Sequence, residues 1–171
     1  DGEEKQKEWA AGALSNLANG NAANQAAIAS VGGIPPLVAL VRDGTTNDQK
    51  RNAAAALTRL ADLNTNNQTD IATAGGILPL VTLVRTGIAE EQKLWAVTAL
   101  TALSHNNAAN RVAIAAAGGI PPLVALVRNG ATENQKTAVA AALCSIARNN
   151  TANQTAIAAA GGIPPLMALV R

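Results

Sequence analysis

Apolar residues in this chain recur at helical spacing, and the same order then returns a fixed distance later. Around residues 133–148 they fall at Val139, Ala142, Leu143, Ile146 and Ala147. These steps of three and four place them on one face of a helix. The segment around residues 3–18 carries the same stripe at Ala10, Ala13, Leu14, Leu17 and Ala18. No run alternates apolar and polar positions as a half-buried strand would. A single helix cannot bury such a stripe alone, so stacking of similar units must supply the core.

The repeat distance is read from the turn residues. Gly-Gly pairs begin at Gly32, Gly75, Gly118 and Gly161, a period of 43. Ile34 to Arg42 recurs identically as Ile120 to Arg128, and with one change, Met167, as Ile163 to Arg171. Asn24, Asn67, Asn110 and Asn153 share a column, as do Ile28, Ile71, Ile114 and Ile157. Each unit reads as three helices. The first is short, about Asn110 to Ala117, with an Asn at its start that can cap free N–H groups. The Gly118-Gly119 pair then turns the chain, with at least one residue of each such pair at positive φ. The second helix starts at Pro121-Pro122, where a missing N–H has no partner to lose. It ends with Arg128 in the last turn and Gly130 as a left-handed cap. The third helix, about Glu133 to Arg148, is the longest. Residues 1–20 are then the third helix of an incomplete unit, and 21–63, 64–106 and 107–149 are full units. Residues 150–171 are a first and second helix, giving about four repeat equivalents in one all-α array. Leu14, Leu57, Leu100 and Leu143 form a core column, and Leu57 and Leu100 are expected to be nearly fully buried.

Composition narrows how this core packs. Hydrophobic residues make up 49 % of the chain, yet Phe and Tyr are absent and Trp9 and Trp95 are the only aromatics. Ala, Leu, Ile and Val must fill the interior, which suits helices whose backbones approach closely. The formal net charge is +2 and no Lys/Arg cluster is present, so nucleic acid is not an expected partner. No stretch reaches the length of apolar sequence a membrane span needs. The start of the chain does not read as a signal peptide, and an intracellular setting is the expectation. Cys144 stands alone, which rules out an internal disulfide and is compatible with reducing and oxidising compartments. It shares a column with Ser15, Thr58 and Thr101, where a small packed side chain between third helices is expected.

A three-helix unit of this length, with a Gly break followed by Pro-Leu-Val-x-Leu-Val, resembles the armadillo repeat. Ala10-Ala11-Gly12-Ala13-Leu14-Ser15-Asn16-Leu17-Ala18 is similar to the family's Ala-Ala-Trp-Ala-Leu-Thr-Asn-Ile-Ala. The resemblance covers essentially the whole chain. It implies a right-handed α-solenoid whose third helices line a concave groove. Members of the importin-α and β-catenin type bind extended peptides there, the former through Trp and Asn ladders. Here the Trp column holds Gly12, Ala55, Thr98 and Ala141, and the Asn column holds Asn16, Arg59, Ala102 and Ser145. Only Asn16 matches, so the nuclear-signal mode is not carried over.

By helical spacing the exposed stripe of the third helices includes the columns of residues 9, 12, 16 and 19. Core columns barely change between units, whereas these diverge. One reads Trp9, Asn52, Trp95, Ala138, and another Asn19, Asp62, His105, Arg148. That contrast fits a modular binding surface, and it also fits drift at exposed positions. Trp9 and Trp95 stand in one column two units apart, as anchors for a ligand or as fillers over small neighbours such as Gly12 and Thr98. The expected groove set is Trp9, Asn16, Asn19, Asn52, Arg59, Asp62, Trp95, Thr98, His105, Ser145 and Arg148, and the expected partner is a protein or extended peptide. Arg59 and Asp62, three apart, are expected to pair. His105 lacks convergent partners for a metal site or a catalytic triad. Glu3, Glu4, Glu90 and Glu91 sit in first turns, where they favour the helix dipole. The glycine pairs are no phosphate loop. No cofactor, metal or enzymatic activity is expected. Leu14, Leu17, Ile163, Leu166 and Leu169 belong to core columns at the two extremes of the array, which raises head-to-tail association of copies as a further expectation.

Overall fold

The computed structural model describes residues 2–130 and 132–171, and these residues form twelve α-helices with no strand. Helix α1 (Gly2–Ala18) is followed by three complete units. The first is α2 (Ala22–Ser30), α3 (Ile34–Asp43) and α4 (Asn47–Ala61). The second is α5 (Thr65–Thr73), α6 (Ile77–Thr86) and α7 (Glu90–Ser104), and the third is α8 (Ala108–Ala116), α9 (Ile120–Asn129) and α10 (Glu133–Ala147). Helices α11 (Thr151–Ala159) and α12 (Ile163–Leu169) complete the array. The long helices α1, α4, α7 and α10 pack side by side in a row. Each of α3, α6 and α9 packs on the long helix of its own unit and on the equivalent helix of the next unit.

The turn between first and second helices needs both glycines, for different reasons. Gly32, Gly75, Gly118 and Gly161 have φ of 76°, 78°, 74° and 76°, the left-handed region that the sequence requires of each pair. The second glycine has ordinary φ but no room. A Cβ on Gly76 would lie 2.8 Å from Ile71 Cγ2, 2.9 Å from Ile71 O and 3.1 Å from Val38 Cγ2. Helices α2 and α3 thereby meet at 82°, and α8 and α9 at 81°.

Two expectations about helix ends are corrected. The cap of each first helix is not the Asn24 column but the asparagine three residues earlier. The Oδ1 atoms of Asn21, Asn64, Asn107 and Asn150 accept from the N–H of Asn24, Asn67, Asn110 and Asn153. Gly130 is not left-handed, since its φ is −58° and ψ 135°. It is glycine because a Cβ would sit 2.5 Å from Leu126 O. The left-handed residues at the exit of the third helices are instead Gly20, Leu63, Asn106 and Asn149. Gly and Asn suit that conformation and Leu does not.

With its N–H capped, the side chain of Asn110 is free to reach elsewhere. Its Nδ2 donates to Leu103 O at 2.9 Å and Gln68 O at 3.2 Å. Asn67 donates likewise to Leu60 O and Gln25 O, and Asn153 to Ile146 O and Arg111 O. Each of α5, α8 and α11 is thus tied to the end of the preceding long helix and to the preceding first helix. The next column reaches forward: Gln25 Nε2 donates to Arg59 O at 2.8 Å, and Arg111 Nη1 to Arg148 O at 2.8 Å. Among the described residues no buried side-chain nitrogen or oxygen lacks a partner.

The interior is built from small residues against leucine. Leu57 is 1 % and Leu100 0 % exposed, as expected, and Ala53, Ala54, Ala56 and Ala61 beside Leu57 are fully buried. Burial is granted by neighbours and fails where they are missing. Leu17 is 54 % exposed although its column mates Leu60, Leu103 and Ile146 are fully buried. Cys144 is likewise exposed, correcting the expectation of a packed thiol. Its column mate Thr58 is covered, with Oγ1 donating to Ala54 O, whereas no further long helix lies against α10 beyond Cys144.

Two substitutions test the turns. Gly76→Ala should cost about 1–3 kcal/mol by overpacking, whereas Gly75→Asn should cost less than about 1 kcal/mol because Asn tolerates left-handed φ and a Cβ there meets open space. Denaturant unfolding measures both, and equal costs would contradict the division of roles. Leu63→Asn should raise stability by about 1 kcal/mol by relieving a left-handed φ of 51° on a leucine.

Candidate functional site

The row of long helices presents one continuous face, and the structure sorts the expected groove residues on it. Trp9, Asn16, Asn19, Asp62 and Arg148 are exposed, while Asn52, Arg59, Trp95, Thr98 and His105 are half-buried. Ser145 is buried and is not a groove residue: its hydroxyl accepts from Ser104 Oγ at 2.7 Å. Asp62, His105 and Arg148 are the residues just past α4, α7 and α10, in extended conformation. Their backbone is fixed by the helix end, and their side chains are the most variable part of the face.

Several of these side chains are already engaged. Asn52 Nδ2 donates to Glu8 O at 3.0 Å, so its amide ties α4 to α1. Thr98 Oγ1 donates to Leu94 O within its own helix. The expected Arg59–Asp62 pair does not form among the described ion pairs. Arg59 turns instead to α7 and places its guanidinium 5.3 Å from the centroid of the Trp95 ring. The attraction of a cation to the ring face is about 0.5–1 kcal/mol at a partly exposed site. Trp95 is therefore not a bare anchor, and its ring also packs against the hydrophobic core. It is one side of a stacked plate that joins two units.

Arg51 was not among the residues expected here, although its spacing from Asp48 is the ordinary helical ion-pair signal. Its Nη1 lies 3.0 Å from Asp48 Oδ1 and 3.0 Å from Glu91 Oε2, bridging α4 to α7. At the other end, Lys5 pairs with Glu8 at 3.1 Å. Bridges that keep one partner in solvent, as Lys5 and Glu91 are here, contribute little energy. They do occupy these charges, which leaves Trp9, Asn16, Asn19, Asp62 and Arg148 as the available groups. The side chains of Asn16 and Asn19 make no hydrogen bond among the described residues, and each amide offers both a donor and an acceptor. Trp9 is 70 % exposed, a large apolar surface held in water.

Among the described residues no three His, Cys, Asp or Glu side chains are grouped so as to hold a metal ion. No single helix among the described residues is long and apolar enough to cross a membrane.

The family model for the armadillo/beta-catenin-like repeat matches residues 21–62 and 107–148. An engineered protein of known structure superposes with a TM-score of 0.92 at 30 % identity, over 98 % of this chain and 66 % of its own. Computationally designed armadillo repeat proteins for modular peptide recognition superpose at 0.89 with 29 % identity, over 99 % of this chain and 69 % of theirs. A designed armadillo repeat protein in complex with peptide (KR)4 superposes at 0.86 with 27 % identity, over 95 % of this chain and 66 % of its own. A comparison with curated protein sequences gives no match. The chain belongs to the armadillo repeat family, and its fold is the all-helical armadillo solenoid.

The Arg59–Trp95 plate can be tested directly. In a Trp9→Phe background, which leaves Trp95 as the sole indole, Arg59→Ala should increase acrylamide quenching of Trp95 fluorescence. Unchanged quenching would mean that the guanidinium does not cover the ring.

Proposed function

We propose that this chain is a binding scaffold, not an enzyme, and that it holds an extended peptide or a protein segment along the face of its long helices. The observation that carries this reading is the exposure of Trp9 together with the half-covered Trp95 plate. Both lie in one column of a ladder otherwise tightly packed. A large exposed apolar side chain on a rigid surface is a common anchor for binding, because it buries much area at little entropic cost. Asn16 and Asn19 lie close to Trp9 in sequence on the same helix-end face. Each can pair with one N–H and one C=O of an extended backbone. Asp62 and Arg148 supply opposite charges two units apart, giving a ligand a preferred direction. Similarity to designed proteins made for peptide recognition supports the reading.

The partner is then a segment with apolar side chains at the Trp positions and its backbone paired to the amides. Selection of a random peptide library on the chain should yield sequence-selective binders. Trp9→Ala combined with Trp95→Ala should weaken them about tenfold or more, with circular dichroism and a cooperative melt showing that the double variant stays folded. Absence of any selective peptide, or equal binding by the double variant, would overturn the proposal.

A further inference from the structure

The column that reaches forward between the long helices changes character once along the array. It holds Gln25, Gln68, Arg111 and Gln154. At the first two junctions the glutamine amide works in both directions. Its Nε2 donates to the end of a long helix, Gln25 to Arg59 O at 2.8 Å and Gln68 to Ala61 O at 3.2 Å. Its Oε1 accepts from the capping asparagine of the following unit, Gln25 from Asn64 Nδ2 at 3.1 Å and Gln68 from Asn107 Nδ2 at 3.3 Å. At the third junction Arg111 keeps only the donor half. Its Nε donates to Ser104 O at 3.1 Å and its Nη1 to Arg148 O at 2.8 Å, carbonyls at the ends of α7 and α10. A guanidinium has no acceptor to offer. Asn150, the equivalent of Asn64 and Asn107, still caps α11 through Oδ1, but its Nδ2 makes no hydrogen bond among the described residues.

The exchange also leaves a charge without its opposite. Arg111 is 6 % exposed, and the other buried charged side chain among the described residues, Glu8, is paired with Lys5. None of the described ion pairs includes Arg111. Beyond Glu91 the sequence holds one acidic residue, Glu133, which stands at the far end of α10 and pairs with Lys136. The helix-end carbonyls favour a cation through the helix dipole but do not neutralise it. Nη2 of Arg111 makes no hydrogen bond among the described residues, and no buried side-chain nitrogen there lacks a partner, so this atom reaches solvent. As a clamp alone glutamine suffices, as Gln25 and Gln68 demonstrate. We propose that Arg111 and Asn150 form a carboxylate site. One carboxylate oxygen takes the part played by glutamine Oε1 at the earlier junctions and accepts from Asn150 Nδ2, while the group pairs with Nη2 of Arg111. Arg148, whose carbonyl Arg111 holds, carries an exposed guanidinium that draws an anion towards this rim. The carboxylate is an acidic side chain of the bound segment; that source rests on the binding role proposed above, whereas the site itself does not.

Sodium acetate probes the site directly. Added to isotope-labelled full chain, and compared with sodium chloride at matched ionic strength, it should shift the NMR signals of the Asn150 side-chain amide in a saturable way. These signals are assigned by their loss in Asn150→Ser, which keeps a capping hydroxyl. Arg111→Gln restores the amide pair of the earlier junctions, so it should stay folded by circular dichroism and abolish the shift. No saturable shift in the parent, or the same shift in Arg111→Gln, would overturn the site. Peptides selected on the parent chain test the source of the carboxylate. One Asp or Glu in them should be required, its replacement by the matching amide weakening binding about tenfold. Arg111→Gln should weaken the acidic peptide by a similar factor and leave the amide peptide unchanged. Selected peptides that need no acid, or whose need for one survives Arg111→Gln, would overturn that source. If no peptide is selected, the binding role falls and the acetate titration still decides the site.

Discussion

Every long helix ends with carbonyl groups that have no partner inside the helix, and the fold depends on how they are met. The buried asparagine of the following first helix meets them. Asn67 spans Leu60 O and Gln25 O, and Asn110 spans Leu103 O and Gln68 O. The neighbouring column, Gln25 and Arg111, reaches forward to the end of the next long helix. A first helix is therefore pinned to the long helices before and after it. Losing one amide leaves buried carbonyls unpaired, a larger cost than the bond itself is worth. These clamps fix the register of the long helices, and the register is what brings Arg59 of one unit over Trp95 of the next.

The exposed face depends on that register in a second way. Alanine-rich packing lets the long helices approach closely, so side chains on their outer stripe meet across units. Arg51 reaches Glu91, and Asn52 reaches the backbone at Glu8. Part of the polar face is consumed in holding the ladder together. What stays free is concentrated at Trp9 and at the residues that follow each long helix, where the scaffold constrains the backbone but not the choice of side chain.

Much of this was legible in the sequence because it is periodic. The 43-residue step, a positive φ within each glycine pair and the burial of Leu57 and Leu100 all follow from comparing one unit with another. What was not legible depends on partners far along the chain. Asn110 looked like a cap because capping is local, yet its amide serves a carbonyl seven residues back and another in the preceding unit. Gly130 looked left-handed because glycine after a helix usually is, whereas here a carbonyl leaves no room for Cβ. Arg59 had an acidic residue at the right helical spacing, and an aromatic ring on the next helix took it instead. Ser145 and Cys144 are one residue apart with opposite exposure. Their difference is set by which flank of α10 has a neighbour.

Among the described residues the inter-unit hydrogen bonds join residues about one period apart, such as Asn67 to Gln25 and Gln49 to Glu4. A chain held this way has no tie that spans the molecule. Pulled lengthwise, it should not resist as one block and then fail at once. The load on the outermost unit falls on a single set of clamps, and only when these part does it pass inward. Extension would proceed as a succession of similar small yields, with each released unit able to settle back on the template its neighbour still provides.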